Sequence, residues 1–239
     1  MRLDKDLCTG CKLCVPYCPV AAISVQDEVA TIDRDACVEC GVCFRANVCP
    51  VKAFEQEELS EPRAIRQTMS DPTVLSKTTS IGGRGTMEMK SNDVSGRFKR
   101  GYAGVAVELG RPGVGAFVKH LEAIAIELCR HGVVWEKENP ITSLMSDLSK
   151  GTFKKEYLEE RVLSGILEFL VPTGKLDVIL ELLEKIAKSI DTVFVVSVIS
   201  KLGPNGEDAN LDELKKLGYT PRVNTKVNVG LGKPQYKFD

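Results

Sequence analysis

Eight of the nine cysteines in this 239-residue chain lie between Cys8 and Cys49, and only Cys129 falls outside that stretch. Cores do not use cysteine this way; such crowding gathers soft ligands for metal. The first run places Cys8, Cys11, Cys14 and Cys18 at spacing C-x2-C-x2-C-x3-C, with Pro19 following. Thiolates at that spacing hold a cubic iron–sulfur core. A compact loop with small residues such as Gly10 lets three sulfurs converge on three corners, and the fourth corner needs a distant ligand. The second run repeats the pattern with Cys37, Cys40 and Cys43, each offset by 29 residues from its counterpart, then Cys49 and Pro50. The segment is an internal duplication, and Gly41 is the small residue of its second loop.

Three other uses of cysteine fit less well. Structural zinc takes four ligands, usually as two C-x2-C pairs with a longer gap, and not as triplets closed by Cys-Pro. Disulfides require an oxidising compartment, and no basic, apolar leader stands before Cys8 to direct the chain to one. Buried free thiols do not cluster in this manner.

Residues 1–54 resemble a two-cluster bacterial ferredoxin, down to the sequences after each motif, Pro19-Val20-Ala21-Ala22-Ile23 and Pro50-Val51-Lys52-Ala53-Phe54. The resemblance implies two [4Fe-4S] clusters that pass single electrons at low potential. It also implies that the cysteine before each proline crosses to the other cluster. Cys8, Cys11, Cys14 and Cys49 would then hold the first cluster, and Cys37, Cys40, Cys43 and Cys18 the second. Leu3, Ile23, Val25, Val29, Ile32 and Phe54 would form an apolar shell that keeps water from the sulfurs. One departure stands out: five residues, Phe44 to Val48, precede Cys49 where the pattern has three. A longer loop there would either change N–H donation to the first cluster and set the two potentials apart, or form a surface bulge without effect on the clusters.

The elements that position these ligands belong to a chain with two domains and a connector. From Glu55 to Thr86 the composition turns acidic and then rich in Ser, Thr, Pro and Gly, without helical or strand period, and reads as an extended linker over 55–86. Residues 87–239 show two passes of strand, helix and strand. The first runs through Gly104–Leu109, a helix with Phe117, Leu121, Ile124 and Leu128 on one face, and Val133–Trp135. The second runs through Leu163–Leu170, a helix over Leu176–Ser189, and Thr192–Ile199. The Leu176–Ser189 helix would present Val178, Leu182 and Ile186 with Ile179, Leu183 and Ile190. The expected class is α+β: a dicluster ferredoxin fold followed by a ferredoxin-like α/β sandwich of two β-α-β units. A short exposed helix over Lys154–Glu160, a helix over Asn210–Leu217 and a late strand near Val223–Val229 complete the reading.

Other candidate sites are weaker. Gly110 to Gly115 opens a helix, where free N–H groups favour an anion, but it matches no nucleotide-binding fingerprint and reads first as a tight turn. Arg84, Lys90, Arg97, Lys99 and Arg100 form a basic strip, read as solvated charge before a partner-docking face. His120 and His131 have no identifiable catalytic partner, and Cys129 reads as a small buried hydrophobe.

Lys plus Arg number 32 against 33 Asp plus Glu, and aromatic residues make up 6%, so nucleic-acid binding has no support. No run of apolar residues is long enough for membrane insertion. The chain reads as a complete cytoplasmic protein that carries electrons without substrate chemistry of its own. Its expected partners are a catalytic oxidoreductase subunit that carries flavin or a metal cofactor and, as donor, a soluble ferredoxin or another low-potential carrier. The alternative is a self-contained reductase or ligand sensor whose C-terminal domain binds substrate or flavin. The whole chain, through Thr-Met-Glu-Met-Lys-Ser near residue 90 and Val-Gly-Leu-Gly-Lys-Pro near its end, resembles iron–sulfur proteins of the 6-hydroxynicotinate reductase family. That resemblance implies reduction of an unsaturated or aromatic ring, with flavin supplied by a partner because the chain shows no flavin motif.

Overall fold

The computed structural model describes residues 1–80, 82, 98–110 and 114–220. Two apolar cores divide the described residues, one small and built around cysteines, the other large and built around a sheet. The architecture mixes helix and strand throughout.

In the cysteine region β1 (Arg2–Leu3) pairs antiparallel with β4 (Phe54–Glu55), so the two ends of the duplicated segment meet. Between them β2 (Ile23–Gln26) and β3 (Val29–Ile32) form a hairpin. Its two loop residues, Asp27 and Glu28, take φ of 49° and 61°, as a type I′ turn requires. Met1, Ile23, Ala30 and Phe54 are buried with Cys14, and Leu3, Val25 and Ile32 pack around them. The expected apolar shell is therefore largely assembled. Val29 is half-buried.

The connector is not extended throughout. Ala64–Ser70 form a helix, α2, after α1 (Val42–Arg45) in the second cysteine loop. Ile65 and Met69, one turn apart, are buried in the large core, which a two-turn helix manages with too few apolar positions to show a period in sequence.

The large core lies on a four-stranded antiparallel sheet of order β12-β5-β11-β7, formed by β5 (Tyr102–Leu109), β7 (Val134–Trp135), β11 (Gly165–Pro172) and β12 (Phe194–Ser200). The β5–β11 ladder is unbroken over eight pairs, from Gly165 opposite Leu109 to Pro172 opposite Tyr102. Because side chains alternate across a strand, Ala103, Val105, Val107 and Leu109 share a face with Leu167, Phe169 and Val171, all without solvent exposure. Two helices supply apolar stripes to the same core, α3 (Val118–Arg130) with Leu121, Ile124 and Leu128, and α4 (Leu176–Ala187) with Ile179 and Leu183. Short pairs β6 (Ala116–Phe117) with β10 (Arg161–Val162), and β8 (Met145–Asp147) with β9 (Thr152–Phe153), sit between these elements. A last helix, α5 (Ala209–Lys216), packs beside β12.

Several expectations shift in detail. The face of α4 runs through Leu176, Ile179, Leu180 and Leu183, and Val178 is exposed. The buried residues follow the i, i+3, i+4, i+7 spacing with Asp177, Glu181, Glu184 and Lys185 off that stripe, whereas stepping by four from Val178 follows the margin of the stripe. Phe117 precedes α3 as its N-cap and does not belong to the stripe. Lys155–Tyr157 make only a 3₁₀ turn. The strand near Val223–Val229 and most of the basic strip lie outside the described residues.

Candidate metal centre

The two cysteine runs fold into nearly the same backbone. Gly10 and Glu39, which correspond under the 29-residue offset, take φ of 64° and 56°; Lys12 and Gly41, the next corresponding pair, take 64° and 66°. The two glycines singled out by sequence are thus not equivalents. Each supplies one of the two left-handed positions that every loop needs, and a residue with a side chain fills the other. After each motif the pattern repeats again. Ala21 and Lys52 lie at φ of 53° and 51°, and the following amides, of Ala22 and Ala53, donate to Cys18 Sγ at 3.1 Å and Cys49 Sγ at 3.3 Å. The Ala30 amide donates to Cys8 Sγ at 3.3 Å.

These turns place the sulfurs around two separate voids. One is walled by Cys8, Cys11, Cys14 and Cys49 with Leu3, Ala30, Val51 and Phe54. The other is walled by Cys18, Cys37, Cys40 and Cys43 with Ile23, Ile32, Val20 and Val38. Each void thus takes three cysteines from one run and the last cysteine of the other. The sulfurs stand back from a space, and that arrangement suits a multi-atom inorganic core. Soft thiolates, apolar walls and amide N–H groups aimed at sulfur all fit a [4Fe-4S] cluster.

Electrostatics point the same way. Burial pushes the Cys14, Cys37 and Cys40 thiols up, and neighbouring cysteines add to the shift: Cys11, Cys8 and Cys49 for Cys14, Cys37 and Cys18 for Cys40. The Cys43 thiol is pushed up to about 12, first by burial and then by Cys40, Cys37 and Cys18. Four thiolates in so small a space become stable only when a cationic core compensates them, so loading must release protons.

The five-residue loop before Cys49 is taken up by α1, with Asn47 at φ 49°. The amide donated to Cys49 is kept, so the insertion leaves that contact intact and instead places Arg45. Arg45 Nη2 donates to the Cys40 carbonyl at 2.8 Å, and Nη1 pairs with the buried Asp71. Arg66, on α2 and 5% exposed, donates Nη1 to the carbonyls of Arg34, Asp35 and Cys37 at 3.2, 2.8 and 2.9 Å, while Nε pairs with Glu160. Glu39, between Cys37 and Cys40, is buried and accepts from Arg63 Nε and Nη2 at 2.9 and 2.6 Å and from the Met1 amine. Sequence reasoning missed this frame of three arginines and three carboxylates. The one available signal was Glu39, a charged residue where the duplicate has Gly10.

Residues 1–24 match the 4Fe-4S binding domain family. The match contains the first cysteine run, and the N-terminal region is accordingly a ferredoxin-type iron–sulfur domain that carries electrons. Pyruvate synthase subunit PorD of Methanothermobacter marburgensis is 46% identical over 55 residues, 23% of this chain and 62% of that protein. The B component of an ion-translocating oxidoreductase complex of Methanosarcina acetivorans is 46% identical over 48 residues, 20% of this chain and 17% of its own length. Ferredoxin-1 of Rhodobacter capsulatus is 45% identical over 40 residues, 17% of this chain and 62% of its own length. The chain therefore spans less than two thirds of each of these relatives. No solved structure matches it.

The weaker candidates change character in three dimensions. Residues 111–113 of the Gly110 to Gly115 turn lie outside the described residues, and at the start of α3 the Val118 and Lys119 amides donate to the Glu160 and Leu158 carbonyls, both at 3.0 Å. His120 sits half-buried, edge-on to Phe117 at 5.8 Å between centroids, and His131 caps the end of α3. Cys129 is only partly buried; its Sγ donates to the Leu148 carbonyl and accepts from Trp135 Nε1, both at 3.3 Å. Among the described residues no helix is long and apolar enough to cross a membrane.

Proposed function

We propose that this chain is an iron–sulfur electron-transfer subunit of an oxidoreductase complex and holds two [4Fe-4S] clusters. Cys8, Cys11, Cys14 and Cys49 would bind one, and Cys37, Cys40, Cys43 and Cys18 the other. The observation that carries this reading is the exchange of fourth cysteines between two sulfur-lined voids. Electrons would pass singly between the clusters and on to a flavin or metal cofactor held by a partner in the cytoplasm. The names of the relatives support the partner, since subunits of a pyruvate synthase and of an ion-translocating oxidoreductase complex are among them.

Residues 1–54 serve in this reading as the cluster domain, 55–86 as the connector and 87–239 as the partner-docking domain. The sheet order β12-β5-β11-β7, with one helix in each strand–helix–strand pass, supports a ferredoxin-like sandwich for the last. Reduction of an aromatic ring by the complex rests on the family resemblance alone, and most of the residues that carry it lie outside the described ones.

Anaerobic isolation from the native host tests the proposal. About eight iron atoms and eight sulfides per chain, with a stoichiometric flavin- or metal-bearing polypeptide, are expected. About four iron atoms per chain defeats the two-cluster assignment, and flavin on the isolated chain makes the second domain the enzyme.

A further inference from the structure

β12 lies at the edge of the four-stranded sheet and, among the described strands, pairs with β5 alone. Monomeric proteins blunt such edges with charge, proline, bulges, short length or a covering helix or loop, and α5 packs beside the end of β12, where Asn210 Nδ2 donates to Ser200 Oγ. Within the strand itself none of the first four devices is used. Phe194-Val195-Val196-Ser197-Val198-Ile199-Ser200 contains neither charge nor proline, its seven pairs with β5 run without a register shift, and Val193 and Val195 are 45% and 52% exposed.

We propose that β12 docks a second copy of this chain, strand against strand, antiparallel about a two-fold axis at Val196. In such a ladder the residue numbers of facing positions have a constant sum, so Phe194 faces Val198 and Val195 faces Ser197. Facing positions then share a sheet face, and the two sheets join into one of eight strands. The charges that flank the strand select this register. Asp191, exposed just before β12, falls opposite Lys201 of the partner subunit, and the two-fold axis makes that pair twice. Lys201 Nζ also reaches the Phe98 carbonyl at 3.3 Å. Centring the axis on Ser197 instead would set Asp191 against a glycine, position 203, and Lys201 against Val193. Centring it on Val195 would set Asp191 against Ile199. Only the Val196 register matches charge with charge across an uncharged strand.

This inference rests on the sheet edge and stands whether or not the cluster assignment does. Its test is the mass of the full chain in solution, purified anaerobically with its iron and followed by light scattering over a concentration series. Twice the 26.2 kDa chain mass is expected. Val195→Lys, at an exposed position, should weaken the dimer about tenfold while iron content stays unchanged. Asp191→Lys should weaken it as well, and adding Lys201→Asp should restore it. A monomer at every concentration overturns the proposal, as does a dimer indifferent to Val195→Lys. A charge swap that does not restore association overturns the register.

Discussion

The two cysteine loops share a backbone and differ in what surrounds it. The first faces outward: Cys11 is exposed, and Leu7 and Leu13 of the same run stand about half in solvent. The second is held from behind by Arg45, Arg63 and Arg66, each pairing with a carboxylate that is mostly withdrawn from water. Duplication conserved the turns that aim sulfur, while the surroundings specialised. An exposed, partly apolar loop suits brief docking by a redox partner, whereas an anchored loop ties the metal region to the rest of the chain. Arg66 and Ser70 make that tie directly. Arg66 spans the Cys37 carbonyl and Glu160, and Ser70 Oγ accepts from the Leu163 amide at 2.9 Å.

The strongest way to break the comparison is to remove its crossing ligands. Cys49→Ser should empty the void lined by Cys8, Cys11 and Cys14, and Cys18→Ser should empty the other. Each change should lower iron from about eight to about four atoms per chain. If Cys49→Ser instead disturbs the cluster held by Cys37, Cys40 and Cys43, the crossing is wrong. Iron analysis with electron paramagnetic resonance of the reduced variants separates the outcomes.

Next in size is Arg66→Ala. It strands Glu160, which is 13% exposed, and takes a donor from the Asp35 and Cys37 carbonyls, while that of Arg34 still accepts from Arg63, so a loss of about 3 kcal/mol is expected. Arg66→Lys should recover part of this, because an ammonium keeps the charge but not the fork that reaches several acceptors. Denaturant unfolding measures both. Equal stability of the alanine variant and the parent would show that the second loop is no better anchored than the first.

The glycines sharpen the contrast. A Cβ at Gly10 would run into the Glu28 backbone, and at Gly41 it would meet Arg45 Nη1 at 2.5 Å and Asp71 Oδ2 at 2.9 Å, the two ends of an ion pair. Both sites have positive φ, which costs alanine about 1 kcal/mol. Both should cost more than that, Gly10→Ala the more, since there the backbone of the β2–β3 turn must move, whereas Gly41→Ala displaces the side chains of the Arg45–Asp71 pair. A reversed order in thermal unfolding would mean that the rigid neighbour lies over the second loop.

What sequence could show follows from range. The cysteine spacing, the duplication and the apolar alternation of β5 and β11 are local patterns, and each named its element without a structure. The Arg66 contacts span 29 to 94 positions, and no local period encodes them. Even α2 escaped, because only Ile65 and Met69 mark its buried side. For α4 the stripe Leu176, Ile179, Leu180 and Leu183 was legible in the spacing, and stepping by four from Val178 drew it off centre. Glu39 was legible only by aligning the chain with itself, where a carboxylate falls at the place of Gly10.

The smallest expected effect concerns redox potential. A second cluster would sit against a loop whose carbonyls accept from Arg45 and Arg66, which sets two guanidinium charges near it. Reduction adds negative charge, and this arrangement favours it. Arg45→Gln removes the guanidinium and leaves Asp71, itself buried, as an uncompensated anion nearby, so both consequences lower the potential. Arg45 is 34% exposed, and water screens part of its charge, which holds the effect to about 1 kcal/mol or on the order of 40 mV for one electron. The first cluster, on the far side of the small core, should shift less. A redox titration followed by electron paramagnetic resonance reads both midpoints in one sample. Equal movement of the two midpoints would place the arginine frame around the pair, and the difference between the loops would then lie in anchoring alone.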